Sequence, residues 1–495
     1  MDKNWTNFLT IHIAGWLCLF LILIMIAGSG LVSWKATILM VFILPLMFLI
    51  VLKPLIGFYF LILFVPVTAL QLKTDILNSY LPHRLEVVTM RDFYVYHIIV
   101  IAAFTGWFLK KFGGLFEGDF NKLSLKNLLI FAFSLLSFWF MLSILWAPNR
   151  ISGLLHLIQF LINIGLFYFA ITIISTKEIA YKVLIVWILI GVIFAGSAII
   201  DRVYVTSLPD SIERTLILTF NYPIFEHLKL GLSFRLFPVR ASGLSTFDQT
   251  SAFINMTMPL TFLLLIKKDT WIKLIGAVSL FIMIFARGLI PNKAGIGAFI
   301  IMGLFLIIKF RPTRKQFFKS VVIFILIIAL TYFLSQLSFE RVADMSRLSK
   351  TASLEGHNSL TIRLVWWKTA LNILLDRYYG LGLGAGGFKY YIAAAPHAHG
   401  VIQSFFFDLG IIGLIGILLI LIVIGREFYM LLNYQNTDLQ IMTFFYCCGV
   451  IAFVIQGLVD FEYHMGWMWL YLGTAVATLN LARQEIKSLN LNLRG

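Results

Sequence analysis

The chain has 495 residues, of which 60% are hydrophobic and only 13% charged, with three cysteines and a formal net charge of +16. Soluble domains carry about 25% charged residues, so this composition, with a mean hydropathy of +0.93, excludes a soluble globular class. The basic residues are spread over loops rather than gathered in one tract, which argues against a nucleic-acid surface and suits anionic lipid headgroups.

Apolar runs recur along the whole chain at about the 20-residue length needed to cross ~30 Å of hydrocarbon. In chain order they predict spans at 8–28, 32–52, 55–72, 92–109, 127–146, 154–174, 182–200, 248–266, 271–286, 293–309, 318–336, 401–424, 440–459 and 466–483. The expectation is an all-α polytopic membrane protein of about 14 helices, within a range of 12–14. The first run leads straight into further spans without a small-residue cleavage site, so it reads as a span and not a signal peptide. Lys110, Lys111, Lys122 and Lys126, then Lys267, Lys268 and Lys273, then Lys309, Arg311, Arg314, Lys315 and Lys319 fall on one side when both termini are cytoplasmic.

That arrangement divides the chain into an N-terminal bundle (1–200), an external loop (201–247), core helices (248–336), a large external loop (337–400), and C-terminal helices with a cytoplasmic tail (401–495). Within the second loop, RLVWWKTALNILLDRYYG (363–380) has helical apolar spacing and ends on Gly380, predicting a helix on the membrane surface. Cys18, Cys447 and Cys448 all lie inside apolar runs and read as small packing residues.

Mid-membrane ionisable groups are sparse. His12, His97 and His156 have no acid nearby in sequence, and Asp408 is the deepest carboxylate. Pumps and ion-coupled transporters need such groups paired inside the membrane, so the external loops are the expected workplace. Those loops are rich in arginine, the residue suited to forked contacts with phosphate. Three junctions stand out: Arg240 before the eighth span, Arg287 and Lys293 around the turn RGLIPNK, and Arg363 at the start of the surface helix. At the entry to span 401–424 the sequence reads PHAHG, placing His397 and His399 at its lip. Imidazole is the usual general base near neutral pH. The HAH pair offers two metal ligands without a third, and no P-loop, GxSxG or paired-acid sugar-nucleotide motif is present, which favours metal-free chemistry without a cofactor.

Four segments taken together resemble the O-antigen ligase/polymerase superfamily of bacterial integral-membrane glycosyltransferases. They are RASGLSTFDQTSAFINMTMPL, ARGLIPNKAGIGAFIIMGLFL, RLVWWKTALNILLDRYYGLGLGAGGF and PHAHGVIQSFFFDLGIIGLIG, spanning about 240–425. In the last, His399, a neighbour and nine residues lead to Gly410, although the family's polar neighbour is replaced by Gly400. The resemblance implies a C-type glycosyltransferase fold and a metal-independent, inverting transfer of glycan from undecaprenyl pyrophosphate at the external face of the bacterial cytoplasmic membrane. It implies His399 as general base, Arg240, Arg363 and either Arg287 or Lys293 on the pyrophosphate, and His397, Asp408 and Gly410 in support. The expected partners are a lipid-linked saccharide donor and acceptor and membrane lipid, with a flippase and a chain-length regulator beside them. A polymerase of O-antigen, capsule, exopolysaccharide or teichuronic-acid type is the favoured expectation. A ligase acting on lipid A-core and a lipid-linked saccharide or polysaccharide transporter are the alternatives.

Overall fold

The computed structural model describes residues 49–65, 71–74, 99–100, 102–106, 124–207, 217–219, 230–235, 247–290, 292–310, 325–326, 329, 359–392, 397–432, 437–460 and 465–492. Two compact units emerge, one formed by 1–122 with 213–236, the other by 123–212 with 237–495.

In the first unit, helix α1 (Pro54–Phe64) opens on proline, whose missing N–H costs nothing in a first turn. Gly57 and Gly106 let helical backbones approach closely: a Cβ on Gly106 would lie 2.2 Å from the Val51 carbonyl oxygen. The same unit holds β1 (Gln71–Thr74), β2 (Ile217–Thr219) and β3 (Leu230–Arg235), an antiparallel sheet in the order β1-β3-β2 with Leu72 opposite Leu232 and Leu218 opposite Phe234. The expected 55–72 span therefore ends early, and the last two of its residues begin a strand. β1 lies far from its partner in sequence and β2 is separated from β3 by ten residues, so no tight hairpin signal marks them.

The second unit is helical among its described residues: α2 (Ser124–Ser143), α3 (Arg150–Ile173), α4 (Lys177–Ser207), α5 (Phe247–Ile266), α6 (Thr270–Leu289), α7 (Lys293–Phe310), α8 (Ser359–Tyr378), α9 (Phe388–Tyr391), α10 (Val401–Leu432), α11 (Asp438–Gly457) and α12 (Gly466–Asn492). Among the described residues, seven helices are long and apolar enough to cross a membrane, at Leu128–Trp146, Arg150–Ile173, Lys177–Ile200, Gln249–Ile266, Thr270–Leu289, Val401–Leu431 and Asp438–Gly457. These agree with seven of the predicted spans. The predicted spans 8–28, 32–52, 92–109 and 318–336 lie wholly or mostly outside the described residues.

Helix α5 is the hub, packing against α4, α6 and α11, while α12 packs against α3 and α11. The outer helices turn Leu128, Phe131, Phe138, Ile185 and Phe281 outward, as lipid contact requires. The inner ones bury Trp467, Trp469, Tyr446 and Tyr471 completely. Inside α5, Thr257 and Thr261 return their hydroxyls to carbonyls three or four residues back, which removes the cost of burying them. Close packing again relies on glycine: a Cβ on Gly449 would sit 2.3 Å from the Met256 carbonyl oxygen, to which Tyr471 Oη donates at 2.8 Å. One end of this bundle carries surface ion pairs, Lys177–Glu485 and Lys267–Asp438. The opposite end carries the histidines.

Candidate functional site

Helix α10 is broken. Gly410 has φ 68° and ψ −156°, outside helical space, so Val401–Leu409 and the segment from Ile411 onward are separate helical pieces. A break in a membrane helix frees backbone groups that need partners. Here they are supplied by the glycine-rich turn after α8. Leu383 and Gly384 donate their N–H groups to Phe407 O and Asp408 O, at 2.8 and 3.1 Å, and Ile411 N–H reaches Gly380 O at 3.0 Å. Two indoles complete the set: Trp139 donates to Leu409 O at 2.7 Å and Trp146 to Gly382 O at 3.0 Å. The turn must be glycine-rich, because a Cβ on Gly382 would lie 2.5 Å from Asp408 O and one on Gly410 2.1 Å from Gly380 O. Both glycines also have positive φ.

Helix α8 lies over this junction. It ends with Tyr379 and Gly380 both at positive φ, and Gly380 N–H bonds back to Leu374 O. Its Arg363, Trp366, Trp367, Ala370 and Leu374 share one face by their three- and four-residue spacing. Trp367 Nε1 donates to Ala398 O at 2.7 Å, and the Trp366 ring stacks on His399, nearly parallel at 19° with centroids 5.9 Å apart. Arg363 donates to Val459 O and pairs with Asp460 at 3.3 Å. At the far end of the same helix, the Tyr378 and Tyr391 hydroxyls hydrogen-bond each other. Burial first, then that bond, pushes the Tyr391 hydroxyl up to about 12, so the link is neutral at any physiological pH.

His399 itself is partly exposed and left-handed at φ 52°, a conformation costing a non-glycine residue roughly 1–2 kcal/mol. Its N–H donates to His397 Nδ1 at 3.2 Å, and the two imidazole centroids are 3.9 Å apart. On its other side His397 shares a small polar pocket with His156, Lys389, Ser404 and Asp408. Asp408 is buried and accepts the Phe388 N–H at 3.0 Å. His156, which has no acid near it in sequence, thus meets one through the fold.

The other predicted cations separate. Arg287 is completely buried. Its Nη1 and Nη2 donate to Ile290 O and Asn292 O, at 3.0 and 2.6 Å, closing the turn between α6 and α7. Lys293, at the first position of α7, is exposed. Arg240 lies outside the described residues.

Sequence reasoning missed a buried polar network beneath Arg363. Asp460 accepts from Asn292 Nδ2 at 2.9 Å, Gln456 Nε2 at 3.2 Å and Arg363, and it is an electrostatic partner of Arg287. Gln456 also accepts from Asn255 and donates to Ser251. Asn292 caps α7 by accepting Gly295 N–H at 2.7 Å. The available signal was Gln456 and Asp460, two polar residues four apart at the end of an apolar run, which a membrane helix does not carry without use.

No protein-family model matches this chain, and no curated protein is significantly similar to it. Among the described residues, no three His, Cys, Asp or Glu side chains are grouped to hold a metal ion.

An arginine and a tryptophan pair on one helix face and a paired histidine at the mouth of a broken helix come together, a base and a cation in one place. They can take a proton from a hydroxyl and neutralise an anionic leaving group at a membrane boundary.

Proposed function

We propose that the chain is an integral-membrane glycosyltransferase that polymerises lipid-linked saccharide units into a cell-surface polysaccharide, in the manner of the O-antigen ligase/polymerase superfamily. The observation that carries this reading is the pinning of His399: Trp366 and Trp367 hold it at the entry of a broken membrane helix, on the helix that also bears Arg363. The order Arg363, Trp366, Trp367, glycine turn, His399, Gly410 is the order of the motifs that resemble that superfamily.

In this reading the donor is a saccharide on undecaprenyl pyrophosphate, with its tail among the helices and its pyrophosphate at the external interface of the bacterial cytoplasmic membrane. His399 accepts the proton of the acceptor hydroxyl as that oxygen bonds to the anomeric carbon from the face opposite the leaving group. The bond to the pyrophosphate oxygen breaks, and the configuration inverts. Arg363, Arg240 and Lys293 stabilise charge on the departing pyrophosphate. Lys293 takes the second basic position because it is exposed, while Arg287 spends its donors on the turn that presents it. Helix α8 above the junction limits water and so favours transfer over hydrolysis.

The test is polysaccharide length on gels from cells with the gene deleted, then restored as wild type or His399→Ala. Single repeat units on lipid carrier, extended by wild type and not by the variant, are the expected outcome. Full-length polymer stranded on its carrier would instead make the chain a ligase, and an unaltered pattern would return the transporter.

A further inference from the structure

The proposed reaction uses His399 as base and gives His397 no task. The bond between them has a direction. An imidazole accepts a hydrogen bond only through an unprotonated ring nitrogen. His397 Nδ1 accepts the His399 N–H, so the neutral ring must carry its proton on Nε2. That bond fixes the peptide that leads into His399, whose own backbone is left-handed and whose ring stacks on Trp366. A second proton on His397 would turn Nδ1 into a donor facing another donor, and the bond would be lost.

We infer that His397, in its neutral form, is a positioning residue that clamps His399 in its left-handed conformation, and that acid releases the clamp. The groups around His397 are His399 on its own loop, His156 from α3, Lys389 from α9, and Asp408 with Ser404 from the first segment of α10. The catalytic assignment of His399 belongs to the proposed function; the clamp is a claim about a hydrogen bond and has its own readout.

Two substitutions of His397 in the full-length protein separate the roles. In His397→Asn the amide oxygen can take the Nδ1 place and does not titrate. His397→Leu keeps bulk and removes the acceptor. Turnover of lipid-linked repeat units in membranes, followed across the histidine range, should fall about tenfold in His397→Leu at neutral pH, the cost of one lost hydrogen bond, and approach wild type in acid, where the clamp is already open. His397→Asn should recover most of that loss and keep only the acid limb of the His399 base, shallower than the limb expected of wild type. Backbone hydrogen exchange at 397–400, which needs no substrate, should be slow in wild type and in His397→Asn and faster in His397→Leu. An Asn variant as poor as Leu, or a Leu variant with wild-type exchange, overturns the clamp. With those exchange rates as expected, full turnover by His399→Ala would overturn His399 as the base, and no turnover by wild type would overturn the glycosyl-transfer reading; either leaves the clamp standing.

Discussion

At the scale of single residues, the site depends on positions where only one side chain fits. Gly410 is one: its φ of 68° and the 2.1 Å approach of Gly380 O leave no room for a methyl group. Gly410→Ala adds roughly 1–2 kcal/mol of backbone strain before any clash is counted, and the clash is with main chain that cannot rotate away. Its thermal midpoint in detergent should drop by several degrees. Gly425, in the unbroken part of the same helix, has nothing within 4 Å of the Cβ position. Gly425→Ala should leave the midpoint level or raise it, since alanine is favoured there by about 0.5–1 kcal/mol. Equal losses from the two would mean the break is not built as described. Asp460 is a second such position, because it pairs with Arg363, accepts from Asn292 and is the carboxylate whose charge acts on buried Arg287. Removing one partner of a buried pair costs about 3–5 kcal/mol, while replacing both by apolar groups costs far less. Asp460→Ala should therefore reduce membrane levels severely, and Asp460→Leu combined with Arg287→Met should restore part of them. A double variant no better than the single one would show that Arg287 is held by its carbonyl contacts alone.

At the scale of elements, the sequence made the straightforward helices legible and hid the ones that bend or pair at a distance. Length and hydropathy located Leu128–Trp146, Thr270–Leu289 and Asp438–Gly457 within a few residues, because lipid imposes the same length on each. Helix α12 was also found, although hydropathy could not tell that its Trp467, Trp469, Tyr471, Thr474 and Thr478 are enclosed by neighbouring helices. The surface helix was legible from Arg363 to Gly380, and its glycine turn with it, since glycine marks turns directly. What that turn binds was not. Gly410 reads in sequence as one more glycine in an apolar run, and nothing local says that Gly380–Gly384 will supply its hydrogen bonds. The strands β1, β2 and β3 were invisible for the same reason, as long-range pairing leaves no periodic trace in such short segments. The contact holding α8 to the histidine loop gives a prediction at this scale. Trp367→Phe keeps the packing and deletes the indole donor to Ala398 O, a loss of about 1 kcal/mol. Backbone exchange at 397–400 should accelerate about fivefold with no change in total protein. Unaltered exchange would mean the helix is held over the loop by Arg363 and Trp366 without it.

At the scale of the whole molecule, the question is which way the bundle faces. Its two ends differ. Lys267, Lys268, Asp269 and Lys273 lie at one, beside Asp438, whereas His399, Arg363 and Lys293 lie at the other. Short loops rich in lysine stay on the cytoplasmic side, and 267–273 is such a loop, so the histidine end should face outward. Reagents that do not cross membranes can decide this with single cysteines. Cys447 and Cys448 are buried among the helices and should stay unlabelled; Cys18→Ser removes the remaining native thiol. In that background Lys368→Cys, exposed on α8, should react on intact cells, and Lys268→Cys, exposed between α5 and α6, only after the membrane is opened. The reverse pattern would turn the histidines toward the cytoplasm. It would then deny His399 an externally presented glycan, and the proposed polymerase would fail on topology alone, whatever the chemistry of its residues.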